Sequence, residues 1–527
     1  MNDILIKNGL IIDGSGNTGY VSSVAIKDGK IVEIGDKICD DATTVIDANG
    51  LVVCPGFIDN HSHSDLTLLL DNSGYNMLEQ GITTEVTGMC GLGLAPASPS
   101  LFKYISMKPY GKEKTALIAS LTSYKRFYSV VEEMGTATNI AFTVQQGTIR
   151  IAVMGFENRR ATASEMAKMK DIVREGMENG AIGLTTGLIY PPGIYTSENE
   201  IVQLCKVVAE YGGCYYTHIR NESNNVIEAV KEAIRIGEKA GIAVVISHHK
   251  IASKDTWGAS RDTLRLIDEA NARGLRVSAD MYPYNAGCSY LKAVLPPTYA
   301  SLGNEVIVEK LKDVAVKQQI KKIILNDNKT FENFIQNCGF ENIRFIMSGD
   351  SQEDGKTIAQ YAQENNIDCF EAVFQLLIKS KCNACGIFYM MCDKDIERIM
   401  AHPNVMFGTD GMVVAKGFSS VPRAYGTFPR ILGRYVREKK VLTIEEAIRK
   451  MTSLPAKKAK LYKKGLLDIG YDADVVIFNA DTIIDNSEIS NITAKNEGIA
   501  YVIVNGKIAV KDNVITGVKA GKTLRRK

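Results

Sequence analysis

Histidine is scarce in this chain, with six among 527 residues. Charge of one sign is missing too: 62 lysines and arginines against 60 aspartates and glutamates leave a net +2. That balance gives no support for a nucleic-acid or anionic-membrane partner, and the basic run 457–464 reads as a solvated helix face. No apolar run is long enough to span a bilayer. The amino terminus lacks a basic segment followed by a long apolar one, so no signal peptide is evident. The eleven cysteines are odd in number and scattered, and show no disulfide framework. Reduced thiols in the cytoplasm are the expectation.

What is present is the composition of a globular protein, 45% hydrophobic and 23% charged. The length suggests two or three domains, or one large α/β barrel taking most of the chain. Both ends read as β. Asp28-Gly29 and Asn505-Gly506 each separate two apolar runs, the signal of a tight hairpin. The terminal segments, 1–56 and 464–527, are therefore expected to fold together as one small β domain, with separate caps as the alternative.

The middle alternates strand and helix. Thr162 with Glu165 forms a capping-box pattern, and Met166, Met169, Val173 and Met177 follow at helical spacing before Gly180. Strands are expected at Ala181–Leu184, Cys214–Thr217, Ile242–Ile246 and Leu275–Ala279, with helices between them. This rhythm predicts a parallel sheet. Chemical residues recur just after strands, which suits both a barrel and a doubly wound sheet. Residues 285–345, with Pro296-Pro297 and a Lys-rich stretch, break the rhythm and read as an insertion within a domain spanning 57–463.

The few histidines fall where metal chemistry would need them. His61 and His63 form a His-x-His after an apolar strand, where both side chains share one face. His218 and His248 each end an apolar strand, and imidazole suits zinc and related metals. Cys90 lies in a glycine-flanked turn, where a thiolate binds zinc well; an isolated cysteine is more often a small buried hydrophobe. Asp410 follows a strand in Gly-Thr-Asp-Gly, a position that also serves to cap a helix. His249 is expected to point away from the His248 face, and His402 at a helix end to be structural.

The order of several stretches resembles the amidohydrolase superfamily and, within it, the D-aminoacylase family. They include Pro55-Gly56-Phe57-Ile58-Asp59-Asn60-His61-Ser62-His63, Thr217-His218-Ile219-Arg220, Ser247-His248-His249-Lys250, Tyr282-Pro283-Tyr284 and Gly408-Thr409-Asp410-Gly411. The resemblance implies a metal-dependent (β/α)8 TIM-like barrel plus a β-sandwich built from both termini. It implies one zinc held tightly by Cys90, His218 and His248, with His61 and His63 reaching a second, weaker position. Asp410 matches the catalytic acid/base, and Lys250, Tyr282 and Arg423 match positions that hold a substrate carboxylate. Four positions depart from the family pattern: Gln146, Cys288 where serine is usual, Val421 where histidine is frequent and Thr409 where serine is usual; the first two bear on the substrate pocket.

An amide needs help at its weakly electrophilic carbonyl and its poor leaving group. Zinc lowers the pKa of bound water to about 7 and polarises the carbonyl. An aspartate can move the proton to the leaving nitrogen, while Lys250 and Arg423 are cations suited to a carboxylate. The expected activity is hydrolysis of N-acyl-D-amino acids, a small-molecule substrate class. The alternatives are a dipeptidase for dipeptides ending in a D-residue and a cyclic-amide hydrolase of the hydantoinase type.

Overall fold

The computed structural model describes residues 1–39, 41–105, 110–327, 329–415 and 420–526. Eight strands follow one another in chain order: Phe57–Ser62, Ile82–Thr87, Asn139–Phe142 continued by Val144–Gln145, Gly183–Gly187, Cys214–His218, Ala243–Ile246, Val277–Met281 and Val405–Phe407. Sequential neighbours pair in parallel. The ring closes between the last and the first: the Asp410 amide donates to the His61 carbonyl at 2.8 Å, and the His63 amide to that of Gly411 at 2.7 Å. A closed parallel ring with intervening helices is a (β/α)8 barrel.

Local sequence explains the crossovers. Thr162 and Glu165 exchange side-chain and backbone hydrogen bonds and start the helix Ala163–Glu178, which buries Met166, Met169, Val173 and Met177. Ser197 caps Glu198–Glu210, and Gly241, left-handed at φ 67°, ends Val226–Ala240. Each apolar side chain so buried contributes about 1.5–3 kcal/mol. The fourth strand begins at Gly183, later than the apolar run suggests. Ala181 and Ile182 are spent on the turn, where Ala181 donates to the Gly176 carbonyl and Ile182 to that of Phe142.

The two ends of the chain form one nine-stranded sheet. Its seam is the antiparallel pairing of Val52–Pro55 with Val475–Phe478. Ile4, Ile6, Val24 and Ile26 from one end share a core with Val475, Ile477 and Ile503 from the other. Both Asx-Gly turns are hairpins, with Asp28 and Asn505 at φ 51° and 47° as the tight turn demands.

Two further elements frame the barrel. Between the seventh and eighth barrel strands, Ala286–Tyr290, Ile343–Ile346 and Cys385–Tyr389 form a separate antiparallel sheet. This excursion runs past residue 345, where the break in rhythm was expected to end. At the amino ends of the third and fourth strands a gap is filled by Thr523–Leu524, which pairs in parallel with Asn139–Phe142. The Lys522 carbonyl accepts from Ile140 at 2.9 Å, and the Arg526 amide donates to Gly180 at 3.0 Å. Among the described residues no helix is long and apolar enough to cross a membrane.

Candidate metal centre

The carboxyl ends of the strands deliver the candidate side chains to one place. His61 lies at the end of the first strand and His63 just beyond it. Cys90 follows the second strand, His218 closes the fifth, His248 follows the sixth and Asp410 the eighth. Three of these six residues have left-handed backbones: Cys90 at φ 54°, His248 at φ 34° and Asp410 at φ 46°. Such conformations cost non-glycine residues free energy and persist where the surroundings over-determine them. The Cys90 turn sits so close to the fourth strand that a Cβ on Gly187 would stand 2.3 Å from the Cys90 carbonyl oxygen.

Two overlapping donor groups result. In one, Cys90 Sγ lies 3.3 Å from His248 Nε2 and 3.7 Å from His218 Nδ1. In the other, Cys90 Sγ lies 3.4 Å from His61 Nε2, and Asp410 Oδ1 lies 3.1 Å from His63 Nε2 and 3.5 Å from His61 Nε2. Within each group the donor atoms fall within 4.8 Å of one another, and Cys90 belongs to both. Burial alone would raise the Cys90 thiol, but the charges of His248 and His61 and the histidine hydrogen bonds hold it well below the usual thiol range. Burial disfavours a charged His63, yet its hydrogen bonds to Asp410 and Cys90 push it up to about 9. A thiolate, imidazole nitrogens and a carboxylate converging in a buried site form a donor set that fits zinc.

Sequence reasoning missed two buried carboxylates that orient these rings. Asp280 Oδ1 lies 3.1 Å from His61 Nδ1 and accepts the His248 amide at 2.6 Å, while Asn60 donates to its other oxygen. Glu222 Oε1 lies 3.0 Å from His248 Nδ1, and Oε2 lies 3.5 Å from His218 Nε2. Each ring thus turns one nitrogen to Cys90 and the other to a carboxylate, an arrangement that fixes tautomers around metals. Burial works against the Glu222 charge, but His218, Lys250 and His248 hold its carboxyl well below the usual range. From the excursion, Glu332 accepts the Glu222 amide at 2.8 Å, and burial raises its own carboxyl to about 7. The only sequence signal for Glu222 was its place four residues after His218; Asp280 had none.

Both cations stand close to one aromatic ring. Lys250 Nζ is 5.5 Å and the Arg423 guanidinium 5.0 Å from the Tyr282 ring centroid. Burial raises the Tyr282 hydroxyl to about 12 against the pull of both charges. Lys250 donates to Glu222 at 2.6 Å, and Arg423 Nη2 lies 2.9 Å from Asp410 Oδ2. Cys288 is partly buried beside Val421, in a small cluster with Ile346 and Ile387. Gln146 is buried and donates to Thr196 at 3.0 Å. The remaining histidines lie apart from the centre: His249 Nε2 lies 2.8 Å from Thr263 Oγ1, and His402 Nε2 lies 3.0 Å from Asp268.

A closed (β/α)8 barrel with such a donor set at the carboxyl ends of its strands defines a metal-dependent hydrolase. Residues 44–510 match the amidohydrolase family, and the chain belongs to it. Within that family it belongs with the D-aminoacylases. It is 33% identical to a D-aminoacylase of Alcaligenes xylosoxydans xylosoxydans over 99% of this chain and 98% of the relative. A crystal structure of D-aminoacylase superposes with a TM-score of 0.83 at 31% identity, covering 100% of both chains. The N-acyl-D-glutamate deacylase of Bordetella bronchiseptica, solved with zinc and a phosphonate mimic of the tetrahedral intermediate, superposes with a TM-score of 0.81. That chain is 30% identical, with 99% of both covered.

Proposed function

We propose that the chain hydrolyses the amide bond of N-acyl-D-amino acids, releasing a carboxylate and a free D-amino acid, with zinc held by Cys90, His218 and His248. The observation that carries this reading is that the carboxyl ends of the barrel strands gather the shared thiol of Cys90 and the carboxylate of Asp410, with the cations Lys250 and Arg423 beside them at the Tyr282 ring. His61, His63 and Asp410 suit a second, weaker metal position that shares Cys90. When bound, zinc supplies an electrophile that polarises the acyl carbonyl and acidifies attacking water.

The chain's own groups account for the remaining steps. Asp410 takes the proton from the attacking water at its carboxylate and returns it to the leaving nitrogen. Arg423 and Lys250, both beside Tyr282, bind the substrate carboxylate, Arg423 through paired donors. Glu222 and Asp280 keep the rings of His218, His248 and His61 turned towards Cys90. Burial of the whole set excludes bulk water and strengthens each charge interaction. The departures at Gln146 and Cys288 bear on the preferred acyl and side-chain groups. Eleven unpaired cysteines suit a reducing compartment, the cytoplasm.

The test is hydrolysis of paired N-acetyl-D- and N-acetyl-L-amino acids by zinc-loaded protein, with Asp410→Asn as control. Release of the D-amino acid alone, abolished in the control, is expected. Turnover of dipeptides ending in a D-residue, or of cyclic amides, with none of the N-acetyl series would overturn the reading.

A further inference from the structure

A second gathering of sulfur lies at the edge of the site and reaches it through Cys288, one of the pocket positions named above. Cys288 and Cys385 sit on neighbouring strands of the three-stranded sheet, on one face and near enough for each thiol to shift the other's titration. Cys385 Sγ also lies 4.0 Å from Met347 Sδ. Met347 is 49% exposed and held left-handed at φ 57°, with its amide bound to Asp354 Oδ2 at 2.9 Å. Both cysteines are partly exposed. Two thiols and a thioether therefore meet where solutes can reach them.

The register separates two explanations for the pair. Cys288 stands opposite Ile387, and Cys385 opposite Tyr290. The cysteines are diagonal neighbours on one face. Diagonal positions lie about 7–8 Å apart, beyond the roughly 4.4–6.8 Å between Cα atoms that a disulfide spans. A third sulfur would also be idle in a disulfide, whereas it completes a ligand set. Thiolate with thioether selects copper(I) over harder cations. The charge balance is favourable as well. The neighbouring Cys385 thiol pulls the Cys288 thiol down, against burial and with the help of the Arg423 charge, while Cys288 and burial push the Cys385 thiol up, so the cation has to displace the Cys385 proton. Arg423 thus stands ready to offset the net negative charge of a monovalent cation held by two thiolates.

We propose that Cys288, Cys385 and Met347 form a binding site for a soft monovalent cation of the copper(I) type, distinct from the hydrolytic centre. Binding forms two metal–thiolate bonds and one metal–thioether bond and releases two protons to solvent. The cation arrives reduced, and no electron moves. The site does not depend on the hydrolytic reading.

The test titrates the zinc-loaded full chain, without oxygen, with copper(I) against a coloured copper(I) chelator. One tight equivalent is expected while zinc content stays constant. Cys385→Ser is expected to abolish that equivalent, and Met347→Leu to weaken it on the order of tenfold. Retained zinc in each variant reports that it has folded. Undiminished copper uptake in both variants would overturn the proposal. So would copper uptake matched one for one by zinc release, which would put the copper at Cys90. Formation of a Cys288–Cys385 disulfide under mild peroxide, read as a bridged peptide by mass, would likewise count against the diagonal geometry and the proposal with it.

Discussion

Arg423 grips Asp410 at both ends of the residue: Nη2 lies 2.9 Å from the Oδ2 oxygen, and Nε donates to the main-chain oxygen at 2.9 Å. Against burial, the Arg423 charge is the chief influence that holds the Asp410 carboxyl well below its usual range. The residue proposed to receive the substrate carboxylate therefore also positions the proposed base. Replacing it removes two functions together. Arg423→Lys keeps the charge but loses the planar fork. It is expected to raise KM and lower kcat together, and steady-state kinetics with an N-acyl-D-amino acid would reveal a change in KM alone as the contrary result.

Asp410→Asn separates chemistry from conformation. Asparagine tolerates the left-handed backbone that Asp410 adopts, so the fold and the tight zinc should survive. Loss of the proton carrier is expected to lower kcat on the order of 10²–10⁴-fold. Metal analysis beside single-turnover assays checks both halves, and a variant that keeps wild-type turnover removes Asp410 from the mechanism.

Metal stoichiometry should divide the two donor groups. Cys90→Ser belongs to both and is expected to lose the tight zinc, while His63→Asn should retain it. Treatment of the wild-type chain with a chelator should abolish hydrolysis, and added zinc restore it. Equal zinc contents in the two variants would argue against Cys90 as a ligand.

Glu222→Gln tests the anchoring of the rings. The amide keeps the shape but withdraws the negative charge that His218, His248 and Lys250 share. Zinc affinity is expected to fall about 10–100-fold, measured by competition with a chelator. Removing one member of a buried charge pair also destabilises the fold by about 3–5 kcal/mol, which denaturant titration would register.

Lys450 sets a pH dependence far from the centre. It is buried against the Phe407 ring and donates to the Met400 carbonyl, and burial pushes its pKa down to about 7. Below about pH 7 both folded and unfolded chains carry the proton, and the buried charge costs its full amount. Between about 7 and the unfolded value of about 10.4 the folded chain alone releases it, so stability rises with pH. Lys450→Met removes this slope. Relative to wild type, its stability should be more favourable at pH 6 than at pH 10 by on the order of 3 kcal/mol, as read from denaturation at each pH. Parallel pH profiles for the two proteins would refute the buried charge.

The parts of this fold that were legible in sequence are those whose cause is local. The Asp28-Gly29 and Asn505-Gly506 hairpins, the Thr162–Glu165 capping box and the strand ends bearing His218 and His248 are each specified within a few residues. The candidate donors were legible because rare histidines followed apolar strands in a familiar order. Asp280 and Glu222 were not, since a buried carboxylate becomes visible only when distant strands bring it against a ring. The left-handed backbones of Cys90, His248 and Asp410 were equally hidden, because tertiary contacts impose them on residues with no such preference. The sulfur trio of Met347, Cys385 and Cys288 spans the excursion and depends on a register that no local pattern specifies.

The strand Thr523–Leu524, wedged between the third and fourth strands of the barrel, has a consequence for how the protein is made. Both edges it lies between are made long before the piece that fills the gap. Until that piece emerges the nascent barrel keeps the opening unfilled, exposing backbone edges that invite wrong partners. Contacts so distant in the chain also make folding slow. A segment of modest composition thereby becomes the latch on this side of the barrel.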